Sequence, residues 1–266
     1  MEQPVQLQPS PPEAPPAPGM SLAGRLFNIF ATPGDVFEDV RKAPPSAANW
    51  LVPAFILILV SWLGSALVFS QPSIQHQLSE IVDQSIQKQV DSGHLSEQQA
   101  EQSRAAAEKW AGIASKIGAG ILPLVMGFLF PLFWGLILWL VGTKVLKGDF
   151  PYMKAVEVVG LGNMITVLDS ILRTLLIIGL ANIYASPSLA LVVKDFDPQN
   201  TVHSLLTLVD VMILWALLVR AIGLARLSGA SLTKAALWVF GIWVAYRAFF
   251  IALGLAGKML MKKVSG

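Results

Sequence analysis

Five long runs of apolar residues constrain the fold of this chain more than any other feature. Each run is about 20 residues long and carries few charges, which is the length an α-helix needs to cross the hydrocarbon core of a bilayer. The chain is 54% hydrophobic and 14% charged, whereas a soluble domain carries about 25% charged residues. The predicted spans are residues 50–69, 118–141, 158–181, 203–224 and 235–256.

The sequence therefore predicts an all-α fold, a polytopic membrane helical bundle with five transmembrane helices. Residues 1–20 contain seven of the seventeen prolines and predict a disordered tail. They lack the apolar run of a secretory leader, so we expect the first span to act as its own signal anchor. The remaining predicted parts are amphipathic segments at 21–49, the membrane domain at 50–256 and a basic tail at 257–266.

Two short amphipathic helices are predicted between residues 21 and 42. Apolar residues recur there at helical spacing, and Thr32 followed by Pro33 is typical of a helix start. These helices are too short to span the membrane. Their apolar faces fit either the lipid headgroup region, with Arg25, Arg41 and Lys42 towards anionic lipid, or the ends of the protein's own helices.

The connection at residues 71–116 changes abruptly to Gln, Ser, Glu and Ala and predicts a helical hairpin outside the membrane. Asp91, Ser92 and Gly93 break the helical pattern. Ser96 and Gln99 have the spacing of a capping box, which starts the second helix. The polar face of this helix fits a solvated surface or a docking surface.

Basic residues next to the spans predict the orientation. Positive charges precede span one, join spans two and three, where Lys154 is counted, and surround the turn between spans four and five, where Arg220 near the end of span four is counted. The positive-inside rule makes these segments and the N-terminus cytoplasmic. The basic residues of the C-terminal tail, Lys258, Lys262 and Lys263, argue for the opposite orientation.

Several classes of chemistry find no support in the sequence. There is no cysteine, which excludes disulfides, a thiolate nucleophile and iron–sulfur clusters. His76, His94 and His203 stand apart from any metal-binding motif, so we predict no catalytic residues, no metal and no cofactor. The net charge of +2 gives no reason to expect a nucleic-acid partner.

The segment LFNIFATPGDVFEDVRKAPPSAANWLVPAFIL resembles the start of the Yip (Ypt-interacting protein) domain in its bacterial form. It has an amphipathic lead, a proline before an acidic and aromatic helix, a proline-containing break, and Trp50 at the head of span one. The later segment DFPYMKAVEVVGLGN is similar to the third-span start of that family. The resemblance covers residues 22–256 and implies a non-enzymatic protein of the bacterial cell (inner) membrane.

Eukaryotic Yip proteins interact with Rab-type GTPases and shape transport membranes. The hairpin at 71–116 is a departure from their compact form, and their aromatic and acidic loop motifs are not recognisable here. The resemblance therefore implies a fold more than a GTPase partner. The partners we expect are membrane lipids and either a protein partner or a second copy of the chain.

Span three carries a polar face. On a helical projection with 100° per residue, six polar residues of this span fall within an arc of about 140°. They are Asn163, Thr166, Asp169, Ser170, Arg173 and Thr174. Charges inside a bilayer are costly unless they are paired or face a wet interior, which makes Asp169 and Arg173 candidates for function.

Spans four and five supply further polar residues: Thr207 and Asp210 in span four and Arg247 in span five. Counted along each helix from the cytoplasmic end, Asp169 lies at the same depth as Arg247, and Asp210 lies at the same depth as Arg173. We therefore predict these two ion pairs, with span three between spans four and five. The cluster fits either helices held in register or a substrate or proton pathway.

Prolines and glycines mark helix distortion and close packing. Pro123 and Pro131 interrupt span two, where a kink serves transporters but also occurs in inert helices. Gly160 and Gly162 lack the remainder of a dinucleotide-binding motif, so they predict close helix packing. Two functions remain open: a Yip-type organiser of partner proteins or lipids, and a small permease with a midplane site at the four charges.

Overall fold

The computed structural model describes residues 19–194, 196–198 and 200–264. These residues contain ten α-helices and no β-strand, which confirms the predicted fold class. The predicted tail at 1–20 lies almost wholly outside the described residues, as do the last two residues of the basic C-terminal tail.

Five helical segments are long and apolar enough to cross a membrane. They comprise α3 (Ala48–Phe69), α6 (Leu122–Leu140) with the π-helical turns that flank it, α7 (Tyr152–Leu180), α9 (Val211–Ser228) and the first part of α10 (Leu232–Val264). Span three starts earlier than predicted, at Tyr152, and spans one, two and five agree closely with the sequence. Span four was predicted from residue 203, which is wrong because α9 begins only at Val211.

The connection between spans one and two is a helical hairpin, as predicted. Helix α4 (Pro72–Asp91) ends before Gly93, whose φ of 74° favours glycine. Helix α5 (Glu97–Lys116) starts with the predicted capping box, in which the Ser96 amide donates to Gln99 Oε1 at 2.9 Å and the Gln99 amide donates to Ser96 Oγ at 3.3 Å. The break between the two helices and the start of α5 thus lie where the sequence predicts them.

Helix α5 enters the membrane without a loop. A π-helical turn, Ile117–Ile121, connects it to α6 just before Pro123, and the Gly120 carbonyl accepts a hydrogen bond from Trp62 Nε1 at 2.8 Å. Local widening of this kind accommodates a proline in a membrane helix. Helix α6 continues through Pro131, so no unwound backbone is exposed there.

The spans pack in a defined order. Helices α3, α6 and α7 pack against one another, and α9 packs against both α7 and α10. The predicted order, with span three between spans four and five, is therefore wrong. Span four occupies that place, and α7 is instead covered by α2, α3, α6 and α9.

The amphipathic segment forms α1 (Leu22–Asn28) and α2 (Pro33–Lys42). Val36, Phe37 and Val40 are fully buried in the same core as residues of α7 and α9. Of the two arrangements that the sequence allows, α2 therefore adopts the one in which its apolar face packs on the ends of the protein's own helices. We call α1 and α2 together the platform. The end of the helical bundle on which they pack is called the platform end, and the opposite end of the bundle is called the hairpin end.

Gly160 lets α7 and α3 approach closely. A Cβ atom at this position would lie 2.3 Å from Trp50 Cβ and 2.4 Å from Trp50 Cα, distances that only a shift of the helices could relieve. We expect Gly160→Ala to destabilise the protein by about 1 to 3 kcal/mol through overpacking. Gly179→Ala is the control, because nothing lies within 4 Å of its added Cβ. Thermal unfolding in detergent measures both, and equal melting temperatures would contradict this packing.

Candidate functional site

The structure brings three of the four predicted intramembrane charges together. Arg173 Nη2 lies 2.9 Å from Asp210 Oδ2, which is the ion pair predicted from depth, and 3.5 Å from Asp169 Oδ1. The Asp210 side chain is only 1% exposed. One arginine therefore serves two carboxylates, and we call these three residues the charge cluster.

Asp210 holds its place because it starts a helix. Its Oδ1 accepts hydrogen bonds from the amides of Met212 at 2.9 Å and Ile213 at 3.2 Å, and it is the N-cap of α9. N-cap side chains satisfy amides that have no partner within the helix. The residue was predicted inside span four, which is wrong because Asp210 is the N-cap that precedes the spanning helix.

The segment before α9 folds over the hairpin end. It contains a 3₁₀ turn at Leu189–Val192 and the short helix α8 (Thr201–Leu206), and a bridge pairs Ser188 with Asp210. Thr207 lies here, outside the spanning helix, and donates to the Ser204 carbonyl at 2.6 Å. Gln77 of α4 bonds to Ala181 and Ile183, which places the base of the hairpin at the same end of the bundle.

The predicted Asp169–Arg247 ion pair is wrong: among the described residues, Arg247 forms no ion pair within 4.0 Å, and its Nε is buried without a hydrogen-bond partner. The reason is the helix order, since α10 packs on α9 rather than on α7. The two side chains instead line one cavity of about 290 Å³ between α6, α7, α9 and α10, together with Thr166.

The other residues of the predicted polar face have separate surroundings. Asn163 is buried and its Oδ1 accepts a hydrogen bond from Arg220 Nη2 at 3.1 Å. The Ser170 carbonyl accepts from the Thr174 hydroxyl at 2.8 Å, and Thr174 packs where Gly64 of α3 leaves room. The face predicted as one polar stripe therefore divides between the cavity and the α3 contact.

Sequence reasoning missed a second polar site at the platform end. Glu157 of α7 is fully buried and accepts hydrogen bonds from the Ser46 amide at 3.1 Å and Asn49 Nδ2 at 2.5 Å, and its Oε1 lies 3.4 Å from Lys154 Nζ. Lys154 also donates to the Val40 carbonyl at 2.6 Å. Buried charges are stable only when paired and hydrogen-bonded in this way.

Arg25 joins this network to the platform. Its Nε lies 2.7 Å from Asp39 Oδ2, and its Nη1 donates to Asn49 Oδ1 at 3.2 Å. In one of the two arrangements left open by the sequence, Arg25 faces anionic lipid; in the structure it is buried by the protein itself, as the other arrangement requires. We call Arg25, Asp39, Asn49, Lys154 and Glu157 the anchor network, because it ties α1 and α2 to α3 and α7.

We expect the anchor network to make the stability of the protein depend on pH. Burial raises the pKa of Asp39, but hydrogen bonds from the Met20 amide and Arg25 outweigh it and lower this pKa below its usual value. A carboxyl whose folded pKa is lowered stabilises the fold above its unfolded pKa of about 3.9, and this contribution disappears as pH falls through the folded pKa. We expect Asp39→Asn to cost about 1 to 3 kcal/mol at pH 7, with the difference from wild type shrinking below about pH 4.

Thermal unfolding from pH 7 to pH 3 measures this effect, and Glu38→Gln is the control. A hydrogen bond from Arg41 lowers the pKa of Glu38 to about 2, but the pair lies at the surface, where water screens it. We expect little effect of Glu38→Gln at any pH. A constant difference between wild type and Asp39→Asn down to pH 3 would contradict the assigned role of Asp39.

The family comparison covers both sites. The family model of the Yip1 domain matches residues 27–255, which include all five candidate spans, the anchor network except Arg25, and the charge cluster. Comparison with curated proteins and with solved structures gives no significant match. Because the matched residues form most of the chain, this protein belongs to the Yip1 domain family of integral membrane proteins.

Proposed function

We propose that this protein is a bacterial-type Yip protein of the inner membrane that organises partner proteins or lipids through its platform, without enzymatic activity. The Yip family consists of non-enzymatic membrane proteins that interact with partners. The observation that carries the proposal is the anchor network. It joins α1 and α2 to the ends of α3 and α7, so that the platform presents one defined surface beside the bilayer.

A groove on this surface fits a docking role. It has a volume of about 380 Å³ and lies between α2 and the turn that joins α9 to α10. Its walls include the charged residues Glu38, Arg41 and Arg226 and the apolar residues Ile222 and Leu232. A partner segment with apolar and acidic side chains complements such a mixed surface.

The proposed orientation places the platform and its groove in the cytoplasm. Basic residues concentrate at this end of the bundle, which the positive-inside rule assigns to the cytoplasmic side. They are Arg41, Lys42, Lys144, Lys147, Arg226 and Lys234. The hairpin then lies on the opposite side of the membrane.

The charge cluster has a structural role in this proposal. Arg173 connects α7 to the N-cap of α9, and its two carboxylate partners compensate its charge. Polar contacts of this kind hold membrane helices in register. The permease alternative is not favoured, because this arrangement uses Asp169, Arg173 and Asp210 for one another and the Yip family does not support it.

Site-specific photocrosslinking in cells tests the proposal. A photoreactive residue at Leu232, in the groove, is expected to give a discrete protein adduct, and the same residue at Val192, at the hairpin end, is expected to give none of that mass. Arg41→Glu combined with Arg226→Glu should abolish the Leu232 adduct by repelling an acidic partner. No adduct at Leu232, or the same adduct from both positions, would contradict the proposal.

A further inference from the structure

The cavity between α6, α7, α9 and α10 lies among spanning helices and is mostly apolar. Its walls include Trp134 and Leu138 of α6, Ala216 and Leu217 of α9, and Trp243 of α10. Its volume of about 290 Å³ is near the lower end of the range for small-molecule sites. The charged side chains that line it are Asp169, Arg220 and Arg247.

Arg220 lies in the middle of α9, whereas the sequence places it near the end of span four, among the charges around the following turn. Its guanidinium donates one hydrogen bond to Asn163 and lies 5.3 Å from the ring centroid of Phe130. Its Nε is buried without a hydrogen-bond partner, and no carboxylate of the described residues lies within 4.0 Å. This cation therefore lacks a counter-charge in the part of the chain that the structure describes.

Arg247 has the same character on the neighbouring helix. Its guanidinium lies 5.7 Å from the ring centroid of Trp243, and its Nε is also buried without a partner. It lines both this cavity and a more polar one of about 330 Å³ at the hairpin end. Counted from the turn that joins α9 to α10 at 1.5 Å per residue, Arg220 lies roughly 12 Å and Arg247 roughly 22 Å along the bundle. Side chains lean towards the N-terminus of their own helix, and α9 and α10 run in opposite directions, so the two arginine side chains lean towards each other from different depths.

The charges around the two cavities do not balance. Three arginines, Arg173, Arg220 and Arg247, stand against two aspartates, Asp169 and Asp210, and both aspartates already contact Arg173. An uncompensated cation within a bilayer is costly. The geometry calls for an anionic group between Arg220 and Arg247 that the described residues do not provide.

The cavity also has a side towards lipid. Among the described residues, α10 packs closely along α9 but not along α6. Between α6 and α10, the rings of Trp134 and Tyr246 meet edge to face with centroids 5.9 Å apart. Side chains alone therefore separate the cavity from the surrounding bilayer at this point.

We propose that the cavity binds an anionic lipid, with its acidic head group held by Arg220 and Arg247 and part of one acyl chain lying along the apolar wall. A soluble anion would satisfy the arginines but not the apolar surface, whereas an apolar lipid tail would leave the arginines bare. An anionic amphiphile satisfies both. This site is separate from the platform groove, so its failure in a test leaves the proposed docking role standing.

Native mass spectrometry of the full chain in a neutral detergent tests the proposal. The probes are phosphatidylglycerol, phosphatidylcholine with the same chains, and inorganic phosphate. We expect one phosphatidylglycerol to bind at least about tenfold more tightly than phosphatidylcholine, which corresponds to one charge-assisted hydrogen bond. Arg220→Gln with Arg247→Gln should lose this preference, while Arg41→Gln, an exposed arginine of the platform, should keep it.

Ala216→Phe tests whether the lipid occupies the cavity, independently of the charge of the arginines. It adds a ring to the cavity wall and leaves every arginine in place, so we expect it to weaken phosphatidylglycerol binding at least about tenfold as well. Unchanged phosphatidylglycerol binding in both the double arginine variant and Ala216→Phe would overturn the proposal. So would equal binding of the two phospholipids, or phosphate that displaces phosphatidylglycerol and thereby identifies a soluble-anion site.

Discussion

Glu157→Ala is expected to lower the thermal stability of the protein in detergent more than any other single substitution considered. Glu157 is fully buried and accepts hydrogen bonds from Ser46 and Asn49 beside Lys154. Its removal leaves the Lys154 ammonium, 5% exposed, without a carboxylate. Breaking a buried pair in this way typically costs about 3 to 5 kcal/mol.

Two variants separate the charge from the general effect of substitution. Lys154→Met combined with Glu157→Leu removes both charges and should recover the part of the loss that comes from the bare Lys154 ammonium, while the Ser46 amide and Asn49 Nδ2 still lose their acceptor. Glu101→Ala, an exposed carboxylate of α5, should change stability by less than about 0.5 kcal/mol. If the double variant were as unstable as the sum of the single variants, the ion pair would not be the cause.

Asp210→Ala is expected to have the second-largest effect, about 2.5 to 4 kcal/mol. The loss of the N-cap of α9 accounts for about 1 kcal/mol. The loss of the hydrogen bond between charged groups with Arg173 accounts for roughly 1.5 to 3 kcal/mol. Both interactions use the same carboxylate, through Oδ1 and Oδ2 respectively, so one substitution removes both.

Asp210→Asn distinguishes these two contributions. Asparagine is an equally good N-cap, so this variant should retain the start of α9 and lose only the attraction of opposite charges. We expect its melting temperature to lie between those of wild type and Asp210→Ala. An Asp210→Ala variant as stable as wild type would show that the charge cluster does not hold α7 and α9 together.

Much of the fold could be predicted because the bilayer imposes it. A span must be long and apolar, so spans one, two and five could be placed from composition, and the Ser96 and Gln99 capping box fixed the start of α5 because its spacing is specific. Span four was misplaced because Leu205, Leu206 and Leu208 extend its apolar run. Because these leucines are as apolar as the span itself, the hydropathy pattern does not show that a separate helix begins after Asp210.

The candidate sites were harder to predict, since they depend on which helices are neighbours. The Arg173–Asp210 pair was predicted, but the Asp169–Arg247 pair was not formed because α9 lies between α7 and α10. Lys154 was placed in a connection and Arg220 beside one, because charges usually mark the ends of spans. Their buried partners, Glu157 and Asn163, lie at positions whose contacts only the folded structure reveals.

The proposed function requires the platform to face the cytoplasm and the hairpin to face the other side. The chain contains no cysteine, so single cysteines can be introduced without altering any native thiol. Suitable exposed positions are Lys42 and Ser231 at the platform end and Ser92 and Val192 at the hairpin end. Val192 is 85% exposed, whereas Ser188 of the same segment is buried and unsuitable for labelling.

Labelling with a membrane-impermeant maleimide in intact cells is the most direct test of this arrangement. Cysteines at Ser92 and Val192 should react in intact cells, and cysteines at Lys42 and Ser231 should react only after the membrane is permeabilised. Labelling of all four positions from the same side would contradict the five-span fold. The reverse pattern would place the platform outside the cell and contradict the proposed cytoplasmic docking surface.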